Sequence, residues 1–135
     1  MSIPYEEIEH TADWAIRVRG KDLAEILENA ARGMIELAGL SPQQSPSHHT
    51  TLKLAATDRE SLLVAWLEEI LFRIESSRLM VTSFDLRISH DTHLEAHLTE
   101  VPIAAIYREI KAVTFHDLEI KQTANGFETT IVFDV

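Results

Sequence analysis

EIKAVTFHDLEIKQTANGFETTIVFDV, residues 109–135, is the stretch from which the fold of this chain is best read. Counting in twos from Ile110 puts Ile110, Ala112, Thr114, His116, Leu118 and Ile120 on one face and Lys111, Val113, Phe115 and Asp117 on the other. That pattern predicts a strand with polar groups in its middle. Asn125-Gly126 is the pair that accepts positive φ at both centres of a type I′ turn, and Phe127, Ile131, Phe133 and Val135 alternate after it. The segment therefore reads as a β-hairpin. A two-residue turn at this point sets Ala124 opposite Phe127, and hence Ile120 opposite Ile131, Leu118 opposite Phe133 and His116 opposite Val135. The same register places Asp117 opposite Asp134, with the terminal carboxylate one residue further. Opposed Cβ atoms lie about 5 Å apart, and two carboxylates at that separation repel by about 3 kcal/mol at an effective dielectric of about 20. Either solvent screens the two acids or a hard cation sits among their oxygens.

Upstream, Ala12, Trp14, Ile16 and Val18 alternate with Asp13, Ala15, Arg17 and Arg19, which predicts a first strand with Asp13 on its non-core face. Gly20 ends it. Asp22 with Glu25 reads as an N-cap and its capping-box partner, and Leu23, Ile26, Leu27, Ala30, Ala31, Met34 and Ala38 recur at helical spacing up to Gly39, so residues 22–38 are predicted helical. SPQQSPSHH, residues 41–49, reads as an exposed loop that includes His48 and His49. A short strand over 51–55 precedes a second helix over 58–76, opened by a Thr57/Glu60 capping box and carrying Leu62, Leu63, Trp66, Leu67, Ile70, Leu71 and Ile74. Alternation of Met80, Phe84, Leu86 and Ile88, and then of Leu94, Ala96 and Leu98, predicts a hairpin with one wet face. On that wet face His93, Glu95 and His97 share a side, as metal ligands on a strand would, although solvated side chains on an antiparallel sheet look the same in sequence. Strands followed by helices and then hairpins predict an α+β fold, one domain over 1–135, with two main helices on a largely antiparallel sheet.

Composition narrows the chemistry. There are no cysteines, which removes disulfides, thiolate nucleophiles and Cys-type zinc sites. The formal charge of −10 repels phosphate backbones and favours cations or basic partners, so no direct nucleic-acid binding is expected. No apolar run approaches the roughly 20 residues that span a bilayer, and the acidic start MSIPYEEIEH lacks the apolar core of a secretory signal, so a cytoplasmic location is expected. With four glycines and no phosphate-loop pattern, a nucleotide cradle cannot be argued.

Three pieces, EHTAD at 9–13, EIKAVTFH at 109–116 and a last strand closing on FDV, together resemble the archease family, and the resemblance runs through ESLLVAWLEEILF at 61–72. The chain departs from the family between Glu100 and Tyr107, where EVPIAAIY replaces a connection that often contains Gly-Glu-Pro. The resemblance implies a protein cofactor of an RtcB-type tRNA-splicing RNA ligase, one that promotes guanylylation and turnover of the ligase and is itself no enzyme. It also implies, for some members, a chaperone-like link to a tRNA methyltransferase. By the same resemblance a divalent metal, most readily calcium, is held by Asp13, Asp134 and Val135, the last through main-chain or terminal oxygens. His10, Lys111, His116 and Asp117 stand as supporting or partner-contact residues. A small metal-assisted hydrolase using Asp13, Asp134 and His116 is the competing enzymatic reading.

Overall fold

A computed structural model describes residues 3–9 and 13–135; Ala12 and His10, both part of the expectations above, lie outside the described residues. Two antiparallel sheets enclose a pair of helices. In the first sheet β1 (Tyr5–Glu9) pairs with β2 (Trp14–Gly20), and β2 pairs along its other edge with the last strand, β9 (Gly126–Asp134). The far edge of β9 carries two short strands, β7 (Ala112–Thr114) and β8 (Lys121–Thr123). In the second sheet the long β6 (His93–Ile106) is flanked by β4 (His48–Ala55) and β5 (Leu79–Ser89), and its end pairs with β3 (Leu40–Pro42).

Helix α1 (Leu23–Ala38) begins where sequence spacing places it, because Asp22 accepts a 2.8 Å bond from the Glu25 N–H. Glu25 does not return the bond to Asp22; its carboxylate lies 3.4 Å from the Lys21 N–H instead. Gly39 closes the helix in the left-handed region at φ 62°, and a Cβ on it would come within 2.7 Å of Tyr107 Cβ. The expected stripe is buried, with Ile26, Leu27, Ala30, Ala31 and Met34 fully inside. Trp66 of α2 (Arg59–Phe72) packs against that stripe and satisfies its indole N–H on Leu27 O at 2.8 Å.

Two expectations fail, and the second helix keeps its expected span with a change of winding. The cap of α2 is Asp58, which accepts from the Ser61 N–H at 2.7 Å; Thr57 does not cap it. The regular helix stops at Phe72, and a π-helical turn, Arg73–Ser77, follows, closed by Arg78 at φ 54°. His48 and His49 are not in a loop: β6 is long enough to pair with them through Glu100 and Thr99, so β4 starts at His48, and both rings stay exposed.

The hairpin register is a further correction. The turn residues are Ala124 and Asn125, with Thr123 opposite Gly126 and Gln122 opposite Phe127. Gly126 adopts φ 142° beside the end of β2, where a Cβ would collide with Gly20 O, so its freedom is used for close approach and not for the turn. Residues 115–120 then leave the ladder, which resumes with Thr114 opposite Val132, Val113 opposite Phe133 and Ala112 opposite Asp134. The cause is visible in α2. Glu60, freed from capping, accepts from Ile120 N–H at 2.9 Å, Arg59 donates to Ile120 O at 2.9 Å, and Thr129 Oγ1 donates to Glu119 O at 2.8 Å. Ile120 is thereby buried with its main chain satisfied outside the sheet. His116 accordingly does not face Val135, and Asp117 does not face Asp134.

Candidate metal centre

The β2–β9 ladder runs from Gly20 opposite Phe127 to Trp14 opposite Phe133. Continued one residue beyond that last pair, the register points Asp13, which lies in a bend just before β2, toward Asp134, the last residue of β9. Trp14 and Phe133 turn toward the core, where Phe133 is fully buried, so alternation puts the two aspartates on the other face at the end of the ladder. Asp134 is exposed and Asp13 half-buried. The opposition anticipated for Asp117 falls to Asp13 once the β2–β9 register is extended by one residue, and it would join segments far apart in sequence.

Charge on this face of β2 is unevenly settled. Arg17 lies 2.9 Å from Glu6 and 3.4 Å from Glu128, and Arg19 bridges the same two acids at 3.3 and 3.5 Å. Asp13 and Asp134 enter no ion pair among the described residues. Two carboxylates at opposed positions without a basic neighbour repel each other unless solvent or a cation intervenes. Among the described residues, no group of three or more His, Asp or Glu side chains is placed to hold a metal. The donors that the resemblance implies, the two carboxylates and the main-chain oxygens of Val135, are all hard oxygens. That donor set fits calcium or another hard cation with water completing the shell, and it does not resemble a nitrogen or sulfur site.

β7 supports the pair from the β9 side. Lys111 N–H donates to Asp134 O at 2.7 Å, and Ala112 pairs with Asp134 in register. The Lys111 side chain is exposed. Register places it on the face of Val113 and Phe133, with Val135, so its observed link to Asp134 is through the main chain. His116 and Asp117 sit in the excursion after β7, nearly fully exposed, with His116 Nε2 3.1 Å from Asp117 Oδ2; Asp117 adopts φ 55° there. The structure does not bring these two residues to Asp13 or Asp134.

His93, Glu95 and His97 do share the outer face of β6. His97 Nδ1 meets Thr51 Oγ1 at 3.2 Å, His97 Nε2 lies 3.4 Å from Glu95, and Glu95 also pairs with Lys53 at 3.7 Å. Its neighbours on β4 thus engage the set. Three residues beyond His97, on the inner face, Glu100 is completely buried and meets Arg73 Nη1 at 2.9 Å, with its Oε2 unpartnered. Sequence reasoning passed over Glu100, although it continues the inward series Leu94, Ala96, Leu98. It also passed over Arg108, whose guanidinium stacks 4.0 Å from the Trp14 ring centre.

Comparison with known proteins gives one consistent answer. Residues 5–135 match the model of the Archease protein family (MTH1598/TM1083). A protein archease of Saccharolobus islandicus is 35% identical over 136 residues, covering 97% of this chain and 98% of its own, and one of Methanosarcina barkeri is 32% identical over 139 residues, covering 97% and 95%. The crystal structure of an archease from Thermotoga maritima, described as a possible chaperone, superposes with a TM-score of 0.72 at 26% identity, covering all of this chain and 98% of its own. The solution structure of Methanobacterium thermoautotrophicum protein 1598 gives a TM-score of 0.72 at 27% identity, covering 98% and 99%.

Proposed function

The chain belongs to the archease family, and from that premise we propose that it activates an RtcB-type tRNA-splicing RNA ligase, promoting guanylylation and turnover of the ligase without joining RNA itself. The observation that supports this reading is that the β2–β9 ladder ends at Trp14 opposite Phe133, which leaves Asp13 and Asp134 as the next residues at that ladder end, neither of them in an ion pair among the described residues. In this reading Asp13, Asp134 and Val135 hold a divalent cation, with calcium the first candidate. When bound, the cation supplies positive charge and exchangeable ligand positions to an approaching anionic group. The chain's own part is to present two carboxylates at the end of the β2–β9 ladder and enter the mouth of the ligase's active site with them. A hydrolase using His116 gains no support, since that side chain stands apart from the aspartate pair.

Single-turnover guanylylation of the cognate ligase, with and without the chain, tests the proposal. Faster guanylylation with the chain present is expected, and an unchanged rate counts against it. A second reading follows the Thermotoga maritima description. Phe72, Tyr107 and Phe115 are 58%, 83% and 57% exposed, an amount of aromatic surface that suits a chaperone-like partner, a tRNA methyltransferase included. Under that reading the chain suppresses aggregation of a client protein, and does so equally well with both aspartates replaced by asparagine.

A further inference from the structure

Helix α1 ends without a basic residue in its last turn, so its terminal carbonyls need donors from elsewhere. The segment entering β7 supplies them. Tyr107 N–H and Arg108 N–H both donate to Ala38 O, at 3.0 and 2.9 Å, and Arg108 Nη1 reaches Leu37 O at 3.4 Å. The same guanidinium lies flat enough to sit 4.0 Å from the Trp14 ring centre, with the Tyr107 ring at 5.9 Å. Three residues later Lys111 N–H holds Asp134 O at 2.7 Å. One short stretch of chain therefore touches the end of α1, the first residue of β2 and the last residue of β9. Asp13 is joined to Trp14 by a peptide bond, and Asp134 is gripped directly.

We infer that Arg108 is a positioning residue for the aspartate pair, fixing the two chain segments that carry Asp13 and Asp134 by clamping Trp14 to the α1 terminus while its own segment holds β9. It touches neither carboxylate; it acts through Trp14 and through the main chain it shares with Lys111. The task suits arginine. A planar guanidinium stacks on indole and donates in its plane at the same time, whereas a lysine ammonium is a point charge that does one or the other. The inference rests on the proposed reading of the pair as a cation site, and its test separates the two.

The experiment uses the full chain as Arg108→Lys and Arg108→Gln, with Arg59→Gln as control. Arg59 also lies over an aromatic ring, Phe127 at 5.3 Å, and donates to a main-chain carbonyl, but it does so away from the pair. Calcium affinity is measured by calorimetry, the Trp14 indole N–H by its nuclear magnetic resonance position, and the Lys111 amide by hydrogen exchange. Both Arg108 variants are expected to lose at least fivefold in calcium affinity, to shift the Trp14 indole resonance and to speed Lys111 exchange at least tenfold. The Arg59 variant should do none of these even where it lowers the melting temperature. Wild-type affinity with wild-type Lys111 exchange in Arg108→Lys overturns the inference. Should the unmodified chain bind no calcium, the cation reading fails, and the indole and amide measurements still decide whether Arg108 positions the two strands.

Discussion

His93, Glu95 and His97 on β6 and Asp13 with Asp134 at the end of the β2–β9 ladder are the two sets of residue types that suit a metal in the sequence, but their surroundings differ. The first set lies along one strand, and the strand beside it brings Thr51 and Lys53 into contact, so its hydrogen bonds and charge are answered within the sheet. The second set lies at the Trp14–Phe133 end of the β2–β9 ladder, and the arginines further along the same face of β2, Arg17 and Arg19, are already taken by Glu6 and Glu128. Spacing along one strand is thus a weaker sign of a site than two like charges brought together and left unanswered. A further carboxylate sharpens the contrast, because Glu100 lies on the same strand as Glu95 but on its inner face, completely buried against Arg73.

The largest effect is expected at Glu100. Glu100→Ala leaves the Arg73 guanidinium without its buried partner and should cost about 3 kcal/mol in urea unfolding; a cost below about 1 kcal/mol would mean the pair is not structural. Next comes the aspartate pair. Asp13→Asn with Asp134→Asn should weaken calcium binding at least tenfold, equivalent to about 1.4 kcal/mol, while His93→Ala with His97→Ala leaves it unchanged in the same titration. Loss of calcium binding in the histidine variant would reverse the ranking of the two sets. Smaller still, Glu95→Gln releases Lys53 and His97 at the surface and should change stability by less than about 0.5 kcal/mol, read by the same urea curves.

The smallest effect concerns the edge of the first sheet. Tyr5 of β1 donates its hydroxyl to the Glu36 carboxylate, and that hydrogen bond, aided by partial burial, pushes the phenol up to about 12 from 10.0. A folded value above the unfolded one means that this contribution is intact below pH 10.0 and is lost as the pH rises through about 12. Phenolate absorbance should show one tyrosine titrating late in the wild type, and its disappearance in Tyr5→Phe identifies the group.

Much of the fold was legible because its signals are local. Apolar residues at helical spacing placed α1 and α2, Asp22 and Gly39 bounded the first helix, and alternation gave the β5–β6 hairpin its wet and dry faces. β1 was missed, since Tyr5, Glu6, Glu7 and Ile8 carry no clean alternation and the strand exists by pairing with β2. The last hairpin was placed but misregistered. Asn125-Gly126 is a strong turn signal, and nothing local tells that Gly126 must lie against Gly20, or that Arg59 and Glu60 would draw Ile120 out of the ladder.

The candidate site divides the same way. Asp13 on a non-core face follows from counting in twos, but its opposition to Asp134 depends on a β2–β9 pairing across more than a hundred residues, which no local pattern encodes. Asp13, Asp134 and Val135 were reached together only through the resemblance of EHTAD and EIKAVTFH to a family. Arg108 left no trace in the sequence reading because its meaning lies in three contacts from three elements.

The central claim is that the aspartate pair, and not the histidine set, is the working end of a ligase activator. Single-turnover guanylylation of the cognate RtcB-type ligase, run with the wild-type chain, with Asp13→Asn/Asp134→Asn and with His93→Ala/His97→Ala, tests it most directly once circular dichroism shows all three folded. Stimulation should be lost in the aspartate variant and kept in the histidine variant. Undiminished stimulation by the aspartate variant would contradict the account.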